Sequence, residues 1–399
     1  MKKVLIGFTE IASNIKKFKH ALELDGYQVF AAIDQLPHFQ NNPDIYNIIF
    51  APNYLSKKKH ILFKIYKRIY ILIKKALFFK HLFQYDYIIY IWNTTLLPFK
   101  LDLFLLKIFR KKFLVMFCGD DIRYRPIHIN IQEKEYNLFL YKGINKNKFI
   151  NHYGIHVKFF KSLYHSLWTT YLTNKIISTP DQSTFLKNPY YQFYSPHVNN
   201  KIKSLNSPKH KDNKKIYIVH APSDRIVKSS SYIIDTVNSI INTNSNVEFI
   251  LLENLTNNKV LEILNKSHIL IDQVGVWAAR LALEGLENNM IVFGGNLPKY
   301  SQHNATSPLI NIDQDQYKFK KDLLFIIDKW INDPIYIANK QKESAFFLNK
   351  HYSYTFNINR TMSILNSQIP CDVTPICTKE KLLKCTPYLY QKIILKIIL

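Results

Sequence analysis

The chain has 399 residues, of which 47% are apolar, and a formal net charge of +25 at pH 7. This length allows two domains that each bury a core. Every apolar stretch of 18 residues contains a charged residue, so we predict no transmembrane helix. The apolar run after Lys2 and Lys3 is too short for a signal peptide, so we expect a cytoplasmic protein. No helix-turn-helix, zinc-finger or RNA-recognition motif is present, and we therefore expect no nucleic-acid partner.

The first half of the chain alternates short apolar strands with helical segments. We predict a helix over residues 11–24 and strands over residues 4–8, 28–33, 45–50, 87–91 and 113–117. Short apolar strands separated by helices indicate a parallel sheet that is covered on both faces. Residues 1–195 are therefore predicted to form a Rossmann-like domain.

A strongly basic segment lies within this first domain. Residues 57–112 contain 14 Lys or Arg residues and only two acidic ones. Residues 57–83 predict an amphipathic helix, with basic residues at intervals of three or four and apolar or aromatic residues between them. Such a helix can lie on an anionic membrane surface, which predicts a peripheral location on the inner face of the cell membrane. A helix that packs on its own domain with a solvated basic face fits the same pattern.

The pattern of strands and helices restarts after a polar linker at residues 196–215. We predict strands over residues 216–220, 247–252, 268–272 and 290–293, and helices over 229–242, 256–266, 277–288 and 318–350. Residues 216–350 are thus predicted to form a second Rossmann-like domain, and residues 351–399 a C-terminal extension that can pack back on the first domain. The overall class is α/β, and ligands are expected at the carboxyl ends of the strands.

Two turns in the second domain place polar groups at such strand ends. His220, Ser223, Arg225 and Lys228 follow the strand over residues 216–220 and precede a predicted helix. Phosphates favour Arg, Lys and the free N–H groups at a helix start. These four residues are therefore candidates for binding the diphosphate of a nucleotide.

The second turn adds two carboxylates. Asp272 ends the strand over residues 268–272, and Glu284 lies on the helix that follows. A carboxylate can accept two hydrogen bonds from the hydroxyl groups of a ribose. The two turns together predict a site for a nucleoside diphosphate.

These motifs carry a resemblance to a known family. The chain resembles the GT-B glycosyltransferases, in particular the retaining group that uses nucleotide-sugar donors. The resemblance rests on the tandem Rossmann-like domains, on His-Ala-Pro-Ser-x-Arg-x-x-Lys over residues 220–228, on Asp272-Gln273 and on the Leu-Glu-Gly of residues 283–285. The resemblance covers roughly residues 1–350 and implies two domains that face a central cleft. It also implies that Arg225 and Lys228 bind the donor diphosphate and stabilise it as it departs, and that Glu284 binds the ribose.

The first domain contributes candidates for the acceptor side. The segments at residues 85–87 and 117–123 resemble the acceptor domain of bacterial surface-polysaccharide members of the family. Asp120 and Asp121 follow a strand there, and Asn14 lies in the segment that stands where the family has a glycine-rich acceptor loop. We expect Asn14, Asp120 and Asp121 on the acceptor side, with Asp120 as a catalytic residue. Both aspartates could also cap a helix.

Several positions depart from the family pattern or allow another role. Ser229 stands where a glycine usually follows the lysine, and Val276 stands where a second acid is common. His220 could be a buried core histidine, and Glu284 could pair with Arg280 one helical turn earlier. The aspartates of residues 313–315 have the spacing of a divalent-metal site. Because Arg and Lys are available to neutralise the phosphates, we expect neither a metal nor another cofactor.

The resemblance implies a glycosyltransferase of retaining, hexosyltransferase type. It would move a sugar from a nucleotide-sugar donor to a saccharide or lipid-linked acceptor during cell-surface polysaccharide or lipopolysaccharide synthesis. A nucleotide-sugar 2-epimerase shares the architecture but needs carboxylates poised for proton transfer, and no paired-acid arrangement is evident. A protein that keeps the fold but only binds a membrane or a partner is a further alternative.

Overall fold

The structure is a computed structural model of the whole chain. It describes residues 1–36, 43–51, 61–92, 94–119, 121, 167–179, 183, 186, 188–197, 215–275, 278, 280–296, 302–313 and 315–373. The chain forms two compact units. The first comprises the described residues within 1–128, 154–196 and 354–399, and the second those within 197–353.

The first unit is built on a parallel sheet of seven strands in the order β3-β2-β1-β4-β5-β6-β7. The strands are β1 (Lys3–Phe8), β2 (Gln28–Ile33), β3 (Ile48–Ile49), β4 (Tyr87–Ile91), β5 (Lys112–Met116), β6 (Ile176–Ser178) and β7 (Tyr191–Gln192). The first three helices are α1 (Asn14–Leu24), α2 (Ile61–Phe79) and α3 (Leu101–Ile108). Successive side chains of β1 pack into cores on opposite faces of the sheet, which is the burial expected of a parallel sheet.

The second unit has a parallel sheet of five strands in the order β12-β11-β10-β8-β9. The strands are β8 (Ile216–His220), β9 (Val247–Leu251), β10 (Ile269–Ile271), β11 (Ile291–Gly294) and β12 (Ile310–Asn311). The helices are α4 (Arg225–Lys228), α5 (Ser230–Ile241), α6 (Asn257–Leu264), α7 (Arg280–Glu287), α8 (Gln302–Thr306), α9 (Gln316–Asn332) and α10 (Pro334–Tyr352). Each unit is thus a parallel sheet with packed helices, and the predicted class of two Rossmann-like domains is confirmed.

The last described helix, α11 (Tyr354–Leu365), belongs to the first unit. Its Ile358, Met362 and Leu365 join the core formed by β1, β4 and α1. Beyond α11, Asp372 pairs with Arg360 at 2.5 Å. The chain therefore returns from the second unit to the first at Tyr354.

Several predicted elements differ from the structure for identifiable reasons. The strand predicted over residues 45–50 shrinks to β3, because the Asn47 side chain and backbone bond to Ala31 and interrupt regular pairing. The helices predicted over residues 318–350 are present as α9 and α10, and the boundary between them lies where Asp333 caps α10 and Pro334 starts it. Helices α3, α4, α8 and α11 and strands β6, β7 and β12 were not predicted. Residues 198–214 of the linker and the tail from residue 374 lie outside the described residues.

Within the described residues, the helix predicted over residues 57–83 is α2, which ends at Phe79, four residues before the predicted end. Its inward stripe comprises Lys67, Ile71, Lys75 and Phe78, while most of its other side chains are exposed. Among the residues described, none of the helices is both long and apolar enough to span a bilayer.

Candidate functional site

The carboxyl end of β8 is tied to its neighbours by His220. Its Nδ1 lies 2.8 Å from the Ile271 carbonyl oxygen and its Nε2 lies 2.8 Å from the Ser230 hydroxyl. A neutral ring that donates to the carbonyl from Nδ1 and accepts from Ser230 satisfies both contacts. His220 is fully buried. It therefore connects the ends of β8 and β10 to the start of α5, in the manner of a buried core histidine.

Burial of His220 makes the stability of the protein depend on pH. Burial lowers the pKa of His220 below its ordinary value of 6.5, since a charged ring would lose its hydration. Between the lowered pKa of folded His220 and the ordinary value of 6.5, the unfolded chain binds more protons than the folded protein. The stabilisation that neutral His220 provides is therefore fully present above pH 6.5 and is lost as the pH falls. We expect the free energy of unfolding to decrease from pH 7 to pH 5 in urea titrations. His220→Gln should show a smaller decrease, and an unchanged slope would contradict this role.

The loop after β8 contains a short helix, α4, that the sequence does not predict. Asp224 caps the short helix α4 by accepting hydrogen bonds from the N–H groups of Ile226 and Val227, at 2.8 and 3.0 Å. Ser229 then takes a left-handed conformation, with φ of 57°, and α5 begins at Ser230. Ser229, which stands where the resembled family usually has a glycine, is thus a left-handed residue that separates two helices. Glycine is the usual choice for this conformation. Ser223 lies exposed in the same loop.

The start of α5 carries the buried hydroxyl of Ser229. Ser229 is 2% exposed, and within the described residues its hydroxyl has no hydrogen-bond partner. The Ser229 side chain does not cap α5. The first N–H groups of a helix have no acceptor within the helix, and the helix dipole gives this end a partial positive charge. The start of α5 is therefore suited to a negatively charged group.

Lys228 and Asp272 form a buried ion pair at this edge of the sheet. The Lys228 Nζ lies 2.6 Å from the Asp272 Oδ1, and both side chains are buried. Lys228 ends α4 and Asp272 follows β10, so the pair links the two turns that the sequence identified. A lysine ammonium has three protons, and the contact with Asp272 uses one of them.

Arg225 contacts a residue that the sequence analysis did not identify. Its Nε and Nη2 donate to the two carboxylate oxygens of Glu253, at 2.7 and 2.5 Å. This hydrogen bonding lowers the pKa of Glu253. Glu253 lies just beyond β9, which pairs with β8 so that Leu251 is opposite His220. A charged residue directly after a predicted strand was the available signal for it.

Glu284 lies on α7 and is mostly buried. Its Oε1 is 3.1 Å from Arg280 Nε, so the predicted alternative of a pair within the helix is present. Gly285 lets α7 lie close to the sheet, because a Cβ there would be 2.5 Å from Leu270 Cδ2. The structure thus brings Lys228 and Asp272 into contact, whereas Arg225 and Glu284 each pair with another residue.

The acceptor-side candidates occupy separate places in the first unit. Asn14 begins α1, and its Oδ1 accepts a hydrogen bond from the Ser195 hydroxyl at 2.8 Å. Asp121 is buried after β5, where it accepts a hydrogen bond from the Gly119 N–H at 2.8 Å. Asp120 lies outside the described residues. The roles assigned to these three residues remain predictions.

The aspartates with metal-site spacing have other contacts. Asp315 caps α9 by accepting from the Tyr317 N–H at 2.9 Å, and Asp313 pairs with Lys318. Gln314 between them lies outside the described residues. In the described part of the chain, no three His, Cys, Asp or Glu side chains are grouped so as to hold a metal ion.

Comparison with known proteins gives no match to a protein-family model and none to a curated protein. Solved structures do match. A glycosyltransferase from Rickettsia africae ESF-5 aligns over 92% of this chain and 98% of its own, with 11% identity and a TM-score of 0.56. A UDP-N-acetylglucosamine 2-epimerase aligns over 95% of this chain and 100% of its own, with 11% identity and a TM-score of 0.52. The Anabaena protein HepE in complex with UDP-glucose aligns over 92% and 100%, with 10% identity and a TM-score of 0.52. At these identities the likeness concerns the fold, and the fold of this chain is GT-B.

Proposed function

We propose that the protein is a glycosyltransferase that moves a sugar from a nucleotide-sugar donor to a saccharide or lipid-linked acceptor. The observation that carries the proposal is the cluster of Lys228, Ser229 and Asp272 at the carboxyl edge of the second sheet. Ligands of open parallel sheets bind at this edge. The GT-B fold supports the same proposal, since HepE shares that fold and was solved in complex with UDP-glucose.

The donor diphosphate would bind at the start of α5. Lys228 has protons left to donate, the Ser229 hydroxyl has no hydrogen-bond partner among the described residues, and the first N–H groups of a helix have no acceptor within it. Together they offer a cation and neutral donors to the same anion, as at other phosphate sites at helix starts. Asp272 holds the ammonium in place and compensates its charge before the donor binds.

Arg225 and Glu284 would complete the donor site after small rearrangements. Arg225 is exposed, and a diphosphate carries more negative charge than the Glu253 carboxylate with which Arg225 now pairs. One oxygen of Glu284 contacts Arg280, which leaves the other oxygen to accept a hydrogen bond from a ribose hydroxyl. Glu284 would then position the nucleotide while Arg225 adds charge at the phosphates.

The reaction breaks the bond between the sugar C1 and a phosphate oxygen, and forms a bond from C1 to an acceptor oxygen. Negative charge develops on the departing diphosphate, and Lys228 and Arg225 would stabilise it. In the retaining form that we propose, the acceptor hydroxyl attacks from the side on which the diphosphate leaves. The departing phosphate then takes the hydroxyl proton, so no separate base is required.

A direct test incubates the purified protein with a panel of nucleotide sugars, alone and with oligosaccharide acceptors. Released nucleoside diphosphate and any change in the sugar are followed by NMR. Release that depends on the acceptor supports the transferase. Interconversion of UDP-N-acetylglucosamine with its 2-epimer in the absence of an acceptor would replace it with the epimerase. Nucleotide binding without either reaction across the panel would favour a protein that only binds.

We further propose that α2 binds an anionic membrane surface, where a lipid-linked acceptor would be presented. The face of α2 turned away from its unit exposes a continuous set of apolar side chains: Leu62, Ile65, Tyr66, Ile69, Leu72, Ile73 and Leu77. Lys64, Arg68 and Lys74 are exposed beside them. An apolar helix face flanked by cations is suited to the boundary between lipid headgroups and acyl chains.

Replacing three residues of this face should weaken membrane binding. We expect Ile65→Ser, Ile69→Ser and Ile73→Ser together to lower the partition coefficient onto phosphatidylglycerol-containing vesicles by at least about a hundredfold, because each buried isoleucine contributes about 1.5–3 kcal/mol. Vesicle sedimentation measures the change. Ile335→Ser, at an even more exposed position in the second unit, is the control and should have no effect. Unchanged binding of the triple variant would refute the proposal.

A further inference from the structure

The first unit contains a cavity of about 430 Å³ next to the carboxyl ends of β1 and β2. Lys64, Lys67 and Arg68 of α2 line this cavity together with Glu10 and Asp34. Spacings of three and four residues place the three cations on neighbouring positions of the helix surface. None of these residues belongs to the proposed donor site.

The two acids of the cavity already have partners. The Glu10 carboxylate accepts hydrogen bonds from the N–H groups of Ile15 and Lys16 and from the Tyr46 hydroxyl, each at 3.1 Å. The Asp34 carboxylate lies 2.7 Å from the ammonium of Lys75. Glu10 is thus held by hydrogen bonds to the start of α1, and the charge of Asp34 is compensated by Lys75.

The three cations, by contrast, have no acidic partner in the described part of the chain, where Lys64, Lys67 and Arg68 form no salt bridge with a carboxylate. The ammonium of Lys67 donates to the neutral side-chain oxygen of Gln35. Partial burial lowers the pKa of Lys67, because the charged ammonium loses hydration. A bound anion would supply the missing charge, and a guanidinium beside two ammonium groups suits a phosphate or a carboxylate.

A second cavity of about 380 Å³ shares Arg68 and Ile71 with the first. Its two lysines are engaged: Lys75 with Asp34, and Lys100 with the Thr169 hydroxyl at 2.6 Å. Burial also lowers the pKa of Lys100 to about 7. Apart from the shared Arg68, the second cavity therefore has little positive charge to offer, and an anion would favour the first cavity, where Arg68 lies with Lys64 and Lys67.

The second cavity does have an aromatic wall. Trp92 lines it and packs against Gly119, where a Cβ would lie 3.0 Å from the indole ring. Buried Asp121 lies at the same cavity. A half-buried indole beside polar groups suits a ligand that is partly apolar and partly hydroxylated, as a sugar ring is.

We propose that the two cavities bind a saccharide that carries a phosphate or a carboxylate, with the anionic group at Lys64, Lys67 and Arg68 and a sugar ring beside Trp92. The anionic group can belong to a free acidic sugar or to the phosphate of a lipid-linked saccharide, since both present the same chemistry. That this saccharide is the acceptor rests on the proposed transferase function. The binding itself does not.

The test is calorimetric titration of the full-length protein with glucose 6-phosphate, glucuronate, glucose, inorganic phosphate and a short-chain prenyl phosphate. Excess uridine diphosphate keeps the proposed donor site occupied. We expect glucose 6-phosphate or glucuronate to bind more tightly than glucose or inorganic phosphate. Lys64→Gln combined with Arg68→Gln should weaken that binding at least tenfold. Lys74→Gln removes a charge from the same helix outside both cavities, and should change the affinity less than twofold.

Each outcome bears on the inference. Binding of the prenyl phosphate but not of the free sugars, again lost in the double variant, would support the site and assign its phosphate to a lipid. Equal affinity for inorganic phosphate and the anionic sugars would overturn the assignment of a saccharide. Full affinity in the folded double variant, or no binding of any anionic ligand, would overturn the site. If the wild-type protein binds uridine diphosphate but none of these ligands, the saccharide site is refuted and the proposed donor site is not.

Discussion

Replacing Lys228 with methionine should lower the free energy of unfolding by about 3–5 kcal/mol, because it leaves the buried Asp272 carboxylate without its counter-ion. Asp272 has no exposed surface, so water cannot replace the lost partner. Urea denaturation followed by circular dichroism measures the change. Hydrogen exchange of the amides in β8 and β10 should show that the loss is concentrated in the second unit.

Two further variants separate this effect from a general sensitivity to lysine removal. Lys215→Met deletes an exposed lysine whose contact with Glu248 is 3.5 Å, and should change stability by less than about 0.5 kcal/mol. Lys228→Met combined with Asp272→Leu removes both charges and should recover most of the lost stability. A loss below about 1 kcal/mol in the single variant would mean that Lys228 and Asp272 are not paired in solution.

Replacing Lys75 with methionine should have the second largest effect. The ammonium of Lys75 pairs with Asp34, donates to the Thr95 carbonyl at 3.0 Å and lies 4.9 Å from the centre of the Phe8 ring. It therefore attaches α2 to the sheet. Because about a quarter of the Asp34 side chain is exposed, we expect a loss of about 2–3 kcal/mol, less than for a fully buried pair. Urea denaturation again measures the change.

The pH dependence of this loss identifies its cause. Burial raises the pKa of Asp34, and Lys75 opposes that rise. Without Lys75 the pKa of Asp34 should rise further, so the folded variant would hold a proton that the unfolded chain has released at neutral pH. Stability then falls as the pH rises, and the cost of Lys75→Met should be larger at pH 7 than at pH 4.5. Lys74→Met, the exposed neighbour, is the control. A cost that is equal at both pH values would exclude the Asp34 contact as its source.

The sequence predicted the strand ends that carry the candidate site, because apolar runs bounded by polar loops identify parallel strands. It also placed the start of the following helix at residue 229, but it did not predict the short helix α4 or the left-handed break that separates α4 from α5. The break depends on a left-handed serine, a conformation with weak sequence signals outside glycine and asparagine.

Pairing between distant residues was the least predictable part of the site. Lys228 and Asp272 were each identified as candidates, but they are 44 positions apart, and only the order of β8 and β10 in the sheet brings them together. Arg225 was identified as a candidate, whereas its partner Glu253 was not, because the apolar pattern that predicts β9 gives no information on the charged residue that follows it. The local pair of Arg280 and Glu284 was predictable because helix spacing alone determines it.

The contacts of the basic helix α2 were equally unpredictable from the sequence. Its existence follows from composition and periodicity, but which lysines face the domain does not. Lys75 is buried and paired, while Lys74 beside it is exposed. Lys64, Lys67 and Arg68 line a cavity instead of forming a uniformly solvated face. These differences depend on how α2 sits against β1 and β2, which a single sequence does not specify.

We propose that the second unit binds a nucleoside diphosphate through Lys228. Isothermal titration of the wild-type protein with uridine, thymidine, guanosine, adenosine and cytidine diphosphates tests it most directly, beside the variant that combines Lys228→Met with Asp272→Leu. We expect at least one diphosphate to bind the wild-type protein at a single site, and the folded variant to bind it at least about a hundredfold more weakly. Full affinity in the folded variant, or no binding of any diphosphate to the wild-type protein, would contradict the claim.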